Sequence, residues 1–300
     1  MPTEVEGTHQ VGDTSLYTKT WKPDGTPVAK LIFIHGFNDH CNRYYELFPT
    51  LATRGIETHS FDQRGWGRSV KTPAQQGLTG PTTQVIEDIV SFINAQLPST
   101  IPLFVMGHSM GGGEALILAS DPQHADLAKH VQGWLLESPF IGFPKGFEPA
   151  GIVVFAGRLA GKLLPHKQKQ SGLPAENLTR DPDVVKSIAE DKLLHGNGTL
   201  EGLAGMLDRA SLLNQAKVKL NPSVKSVWLG HGTDDKGTSY EESKKWFERQ
   251  THLEDKEFKT YDGWSHQLHA DLPDNRSVFA NDVANWILAR VGGDGRESKL

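Results

Sequence analysis

Apolar residues in this 300-residue chain fall into short, nearly unbroken runs, separated by stretches whose apolar positions recur every three to four residues. Lys30-Leu31-Ile32-Phe33-Ile34 is a near-continuous apolar run, as expected of a strand covered on both faces. Ser15–Trp21, Ile56–Phe61, Pro102–Met106, Gln132–Leu136, Ser226–Leu229 and Glu257–Tyr261 read as further strands. Helical spacing marks Tyr44–Arg54, which Gly55 closes, and Thr82–Leu97, where Val85, Ile86, Ile89, Val90 and Ile93 share one side and Pro98 ends the run. Glu114–Ala119, Tyr240–Gln250 and Val278–Val291 complete the helices of the alternating pattern. Strand and helix alternate up to residue 138 and again from 221, which predicts an α/β fold: a mostly parallel central sheet with helices on both faces. Residues 139–220 break the alternation, so the expected organisation is a core of 1–138 and 221–300 around an insertion at 139–220. The insertion holds the apolar stretch Ile152–Leu164, then a polar part with Pro165, Pro174 and Pro182, and two helical pieces near Asp183–Leu194 and Leu200–Leu213.

Composition narrows the function classes. Hydrophobic residues make up 37% and charged ones 22%, enough for a sizeable core. The net charge of −5 argues against a nucleic-acid binder. Cys41 is the single cysteine, so no intrachain disulfide can form, which fits a reducing compartment. The acidic, polar start at Met1–Gly7 does not read as a secretory signal, and no apolar run approaches the ~20 residues that span a bilayer. The N-x-S/T sequons at Asn177, Asn197 and Asn275 are then coincidental. The chain ends in Ser298-Lys299-Leu300 after a polar tail, the tripeptide that a peroxisomal import receptor reads. The expected location is therefore the peroxisome, or failing that the cytoplasm or a lipid-droplet or membrane surface, and not the exterior.

The chemistry centres on Gly107-His108-Ser109-Met110-Gly111, a G-x-S-x-G pattern set between an apolar strand and a helix former. That setting makes a nucleophile elbow: a strained turn lifts the serine oxygen to the positive end of a helix, and only small neighbours fit around it. A serine hydroxyl needs a base, and the base an orienting carboxylate, which in this type of site follow in the order Ser, acid, His. Two later strand ends supply them, one through Asp234-Asp235 and one through His266. Ser109 is the expected nucleophile, His266 the general base and acid, and one of the two aspartates the orienter. His269, three residues on, competes with His266, and the pair also has the look of a metal site, but no acidic or cysteine ligand cluster accompanies it, so neither metal nor cofactor is expected. The oxyanion donors should be the backbone N–H of Met110 and that of Phe37, in the loop His35-Gly36-Phe37 after the Ile34 strand.

Ile34–His40, Phe61–Ser69, Gly107–Gly113 and His266–His269, taken together and in this order, resemble the monoacylglycerol lipases of the α/β-hydrolase fold, the fungal members most, over about Tyr17 to Ala289. The resemblance implies a serine hydrolase that cleaves monoacylglycerol to fatty acid and glycerol. It places the triad on Ser109, Asp235 and His266, the oxyanion donors on Phe37 and Met110, and glycerol contacts on Asp39, Arg43 and His269. Asp39 stands where animal members carry a glutamate one methylene longer, and the reactive cysteines of those members have no counterpart. The resemblance also makes residues 139–220 a cap over the site, with Ile152–Leu164 lining an acyl tunnel and touching a membrane or droplet surface. From the residues alone, that stretch reads equally as a core helix. Other acyl hydrolases, a lysophospholipase or an acyl-CoA thioesterase, are the nearest rival. CoA phosphates would want a basic patch, and the basic cluster of the chain is Lys162–Lys169. A non-catalytic small-molecule receptor on the same scaffold is the distant rival, and it predicts a broken triad. Epoxide hydrolases and dehalogenases would need aspartate in place of Ser109.

Overall fold

The structure is a computed structural model, described here for residues 2–148 and 150–292, with backbone alone at 152–155; Ser298-Lys299-Leu300 lies outside the described residues. Its strands are β1 (Thr3–Val11), β2 (Thr14–Lys22), β3 (Ala29–Ile34), β4 (Ile56–Phe61), β5 (Leu103–His108), β6 (Val131–Glu137), β7 (Gln168–Gln170), β8 (Asn197–Thr199), β9 (Ser226–Gly232) and β10 (Asp255–Tyr261). Eight of them form one open sheet in the order β1-β2-β4-β3-β5-β6-β9-β10. From β4 to β10 every pairing is parallel, and β1 and β2 add an antiparallel edge. The mostly parallel sheet expected from the apolar runs is thus present, with one strand more. The sequence reading begins at Ser15 and misses β1, whose side chains are nearly all exposed and carry no apolar stripe.

The helices are α1 (Leu47–Thr53), α2 (Thr82–Asn94), α3 (Met110–Ser120), α4 (Ala125–His130), α5 (Gly151–Leu163), α6 (Pro182–Glu190), α7 (Leu200–Asn214), α8 (Tyr240–Glu248) and α9 (Pro273–Leu288). Successive side chains of a strand point to opposite faces, and each face has its own core. Ile32, Ile34 and Val105 pack with Val85, Ile86 and Ile89 of α2 and Leu116 of α3. Leu31, Phe33 and Phe104 pack on the other side with Phe48 and Leu51 of α1 and Phe279 and Val283 of α9. A fully buried aliphatic side chain contributes about 1.5–3 kcal/mol, so these layers hold the sheet between its helices. The helix expected from Tyr44 starts later, at Leu47, because Tyr45 takes a left-handed conformation at φ 41°. Tyr44 still packs on the same face, edge-on to Phe33 at 4.2 Å and stacked on Phe48 at 5.2 Å. The last helix starts earlier than expected, with Pro273 in its first turn, where a missing N–H costs nothing.

After β6 the chain leaves the sheet and returns at β9. In between lie α5, the small antiparallel pair β7–β8, α6 and α7. α7 lies against α3 and α5, and a buried ion pair fixes it: Arg209 Nη2 donates to Glu114 Oε1 at 3.0 Å, and Nη1 to Thr82 Oγ1 at 3.0 Å. Burial pushes the Glu114 carboxyl up to about 7, against the pull of Arg209. Arg180 grips Asp271 at 2.8 Å and Arg276 binds Asp181, so the inserted segment is also tied to the start of α9. Among the described residues no helix is long and apolar enough to cross a membrane.

Candidate active site

Ser109 stands between the end of β5 and the start of α3, with φ 54° and ψ −118°, a region that side chains other than glycine rarely occupy. The crowding around it explains the flanking glycines. A Cβ at Gly107 would strike the Gly111 carbonyl, and one at Gly111 would strike the Ile34 carbonyl. The strained backbone is pinned on both sides: Ser109 N–H donates to the Glu137 carbonyl at 2.9 Å, while the Ser109 carbonyl accepts from Phe140 N–H at 2.8 Å and Gly113 N–H at 3.1 Å. The partial positive charge at the start of α3 faces this turn.

The ends of β9 and β10 bring an acid and an imidazole together. Asp235 Oδ2 lies 2.8 Å from His266 Nδ1. The carboxylate is surrounded by donors: Gly237 N–H at 2.7 Å and Thr238 N–H at 2.9 Å on Oδ1, then the Thr238 hydroxyl at 2.9 Å and His231 Nε2 at 3.0 Å on Oδ2. Burial alone would raise the Asp235 carboxyl, but the two imidazoles and these hydrogen bonds hold it well below the carboxylate range. His266 responds in the opposite sense. Burial disfavours its charged form, yet Asp235 outweighs burial and raises it above the ordinary histidine value. With Nδ1–H given to Asp235, Nε2 is the free basic nitrogen. Asp234, next in sequence, is exposed.

A third loop follows β3. His35 is buried and neutral; its Nε2 accepts from Gln63 N–H at 2.9 Å, so Nδ1 carries the proton and donates to the Gly36 carbonyl at 2.8 Å. Gln63 Nε2 returns to the His35 carbonyl at 2.8 Å. Gly36 passes close to the elbow: a Cβ there would sit 3.2 Å from Ser109 Cβ. Asn38 follows in a left-handed conformation at φ 50°, and its side-chain oxygen accepts Gly196 N–H, from the inserted segment, at 2.7 Å. Phe37 leans edge-on against Trp66 at 4.7 Å.

Ser109, Met110, Phe37 and His266 line one cavity of about 360 Å³. Its walls are mainly apolar, with Leu178, Ile188, Leu194, Leu203 and Leu207 all supplied by the inserted segment. One end is polar. Asp39 accepts His40 N–H at 2.8 Å and the Tyr44 hydroxyl at 2.7 Å, and Arg43 Nε approaches it at 3.8 Å. Arg43 also reaches Asp191 at 3.3 Å, in company with His40 at 2.9 Å.

His269 does not line the cavity. It is buried with Nδ1 2.7 Å from Glu137 Oε1, its ring tilted against that of Tyr44 at 4.2 Å, and burial drives its pKa down to about 3. Of the glycerol contacts the resemblance implies, Asp39 and Arg43 reach the cavity wall and His269 stands behind it. A metal would find its ligands in His108, Glu137 and His269, whose donor atoms lie within 4.8 Å of one another, although His269 Nδ1 is committed to Glu137. Cys41 is buried, its N–H bound to Asp62 at 2.9 Å, and burial raises its thiol well above the usual range. Sequence reasoning missed Glu137, Thr238, Asn38 and Gln63. Gln63 and Asn38 lie within the strings Phe61–Ser69 and Ile34–His40, and Glu137 directly follows the strand expected at Gln132–Leu136; Thr238 carries no signal beyond standing close to Asp235.

Comparison with known proteins identifies the family of the chain. A protein of Schizosaccharomyces pombe is 34% identical over 276 residues, covering 91% of this chain and 71% of its own length. The monoacylglycerol lipase of Mycolicibacterium smegmatis is 26% identical over 289 residues, covering 94% of this chain and 95% of the relative. Among solved structures, a soluble variant of monoglyceride lipase from Saccharomyces cerevisiae in complex with a substrate analog superimposes with a TM-score of 0.84 over 95% of this chain and 94% of that one, at 22% identity. The family model described as serine aminopeptidase, S33 (Hydrolase_4) matches residues 25–273. The chain therefore belongs to this serine aminopeptidase S33 family and has the α/β-hydrolase fold.

Proposed function

We propose that this protein is a carboxylic ester hydrolase that cleaves monoacylglycerol to free fatty acid and glycerol. The observation that carries the reading is the shared cavity: a strained serine at a helix start and an Asp235-bound imidazole line one mainly apolar cavity whose wall also holds Asp39 and Arg43. An acyl chain gains about 0.8 kcal/mol per methylene buried against those walls, and a glycerol headgroup finds Asp39 and Arg43. The family relatives named as monoacylglycerol lipases support the same substrate.

In the mechanism, Ser109 Oγ attacks the ester carbon while His266 Nε2 takes its proton. The carbonyl oxygen becomes an oxyanion, held by the N–H groups of Phe37 and Met110. His266 then protonates the glycerol oxygen as the C–O bond breaks, leaving an acyl-Ser109. Water, deprotonated by His266, attacks the acyl carbon, and Ser109 leaves with the proton returned to it. Asp235 keeps the imidazole in the tautomer that exposes Nε2 and stabilises its charged form. No step calls on a cofactor.

Residues 139–220 act as the cap in this proposal. Its outer surface carries Phe147, Leu159, Leu163 and Leu164 at 50%, 52%, 72% and 59% exposure, with Lys162, Lys167 and Lys169 exposed among them, which supports transient contact with a membrane or droplet surface. Delivery through Ser298-Lys299-Leu300 to the peroxisomal import receptor belongs to the same proposal, and a fluorescent fusion compared with its Leu300→Ala variant tests it.

The deciding experiment is turnover of the pure protein, beside Ser109→Ala, on monoacylglycerol, lysophospholipid, triacylglycerol and acyl-CoA of matched chain length. A preference for monoacylglycerol that falls on the order of 10⁵-fold or more in the variant is expected. A preference for acyl-CoA would keep the nucleophile and replace the substrate, and turnover retained in Ser109→Ala would sink the mechanism.

A further inference from the structure

A second cavity, about 640 Å³, lies beside the acyl pocket. The two share a wall of four side chains, Phe140, Phe143, Arg158 and Leu207. The wall begins next to the nucleophile, since Phe140 N–H is bonded to the Ser109 carbonyl. Phe140 and Phe143 meet edge to face at 4.9 Å, while Arg158 arrives from α5 and Leu207 from α7. Arg158 is tethered by Asp208, Nε to Oδ1 at 2.8 Å, and both partners are about half exposed. Exposed pairs of this kind contribute at most about 1 kcal/mol, so the guanidinium is readily given to another anion. The loop carrying the two phenylalanines is held to α8 by one backbone bond, Ser239 N–H to the Gly142 carbonyl at 2.9 Å.

Arg43 is given above to the glycerol headgroup, but the second guanidinium in this wall, Arg158, has no anionic counterpart in a neutral ester. It has one in the product. Hydrolysis of the acyl enzyme turns the acyl carbonyl into a carboxylate, with its proton passed to solvent, and a planar fork is the natural partner of that group. We infer that Arg158 and the Phe140–Phe143 wall form a side portal for the fatty acid: the product carboxylate replaces Asp208 on Arg158 and the chain leaves through the second cavity. The inference rests on the reading of Ser109 as an acyl-transfer nucleophile, and it assigns a carboxylate-binding position and a product route apart from the substrate mouth.

The test reads release without turnover. In a Ser109→Ala background, cis-parinaric acid is bound and then trapped by excess albumin in a stopped-flow fluorimeter. Ser211→Trp, at a position lining the second cavity and not the acyl pocket, should slow release fivefold or more. Its equilibrium affinity should stay unchanged, because a block slows both directions alike, and Ser211→Ala should keep the parent rate. Arg158→Gln should weaken binding of the acid threefold or more and leave the methyl ester unaffected. Release from Ser211→Trp at the parent rate, or an equal loss for acid and ester in Arg158→Gln, would overturn the portal. Failure to hydrolyse monoacylglycerol would overturn the substrate assignment alone, because release is measured independently.

Discussion

Two carboxylate–imidazole pairs stand side by side beneath the elbow, separated by the ring of His108, which lies 4.9 Å from that of His266 and 5.0 Å from that of His269. Their bonds are nearly the same length: Asp235 to His266 at 2.8 Å and Glu137 to His269 at 2.7 Å. Their pKa shifts run in opposite directions. Asp235 accepts from two backbone N–H groups, a hydroxyl and two imidazoles, so it stays ionised and raises His266. Glu137 is buried with no hydrogen bond to Oε2, which faces His108 Nδ1 at 3.6 Å, so burial raises its carboxyl, and His269 is driven down to about 3. A short acid–histidine contact thus does not by itself make a base. What separates the pairs is how fully the carboxylate is satisfied and whether the imidazole reaches the cavity.

Breaking each pair at its histidine should give the largest contrast. On the proposed mechanism His266→Ala lowers kcat on the order of 10⁶-fold. His269→Ala, behind the wall, should cost no more than about 100-fold and appear mainly in KM for monoacylglycerol; parity between the two variants in steady-state kinetics would remove the distinction. At the acids, Asp235→Asn should lose about 10⁴-fold in kcat, as expected when the orienting carboxylate and the tautomer it fixes are lost. Glu137→Gln should stay within about tenfold, and Asp234→Asn at the parent rate.

A pH profile sharpens the same contrast. His266 must be neutral to accept a proton, and its pKa is raised, so activity is present above that pKa and lost as pH falls through it. The acid limb of kcat/KM should therefore lie above 6.5, the ordinary histidine value. A limb well below 6.5 would mean that Asp235 does not govern the base. The smallest effect is expected from Thr238→Val, which removes one donor from Asp235. A hydrogen bond to a charged group contributes about 1.5–3 kcal/mol, so kcat should fall roughly tenfold in steady-state kinetics.

The fold was legible because burial on both faces writes strands such as Lys30–Ile34 as continuous apolar runs, and the insertion showed as a loss of alternation. β1 was not legible, because an exposed edge strand needs no apolar stripe. The start of α1 was misplaced because Tyr44 keeps its helical spacing while Tyr45, just after it, leaves helical geometry. At the site, Ser109 announced itself through local chemistry that needs glycines at fixed offsets. Asp235 and His266 could be placed by chain order, yet the choice between Asp234 and Asp235 required a motif, since which of two adjacent carboxylates turns inward is settled by the donors of Gly237 and Thr238. Glu137 escaped notice for a related reason: a lone acid at a strand end says nothing about the histidine 132 residues away that will meet it.

The bond from Gly196 N–H to Asn38 works as an interlock. Asn38 adjoins Phe37, so the loop that would present an oxyanion donor is set in place by the covering segment. On the proposed mechanism, a trimmed version of this scaffold, or one refitted with a foreign cover, would lose this bond along with shelter and selectivity, and the donor loop would be left less firmly placed.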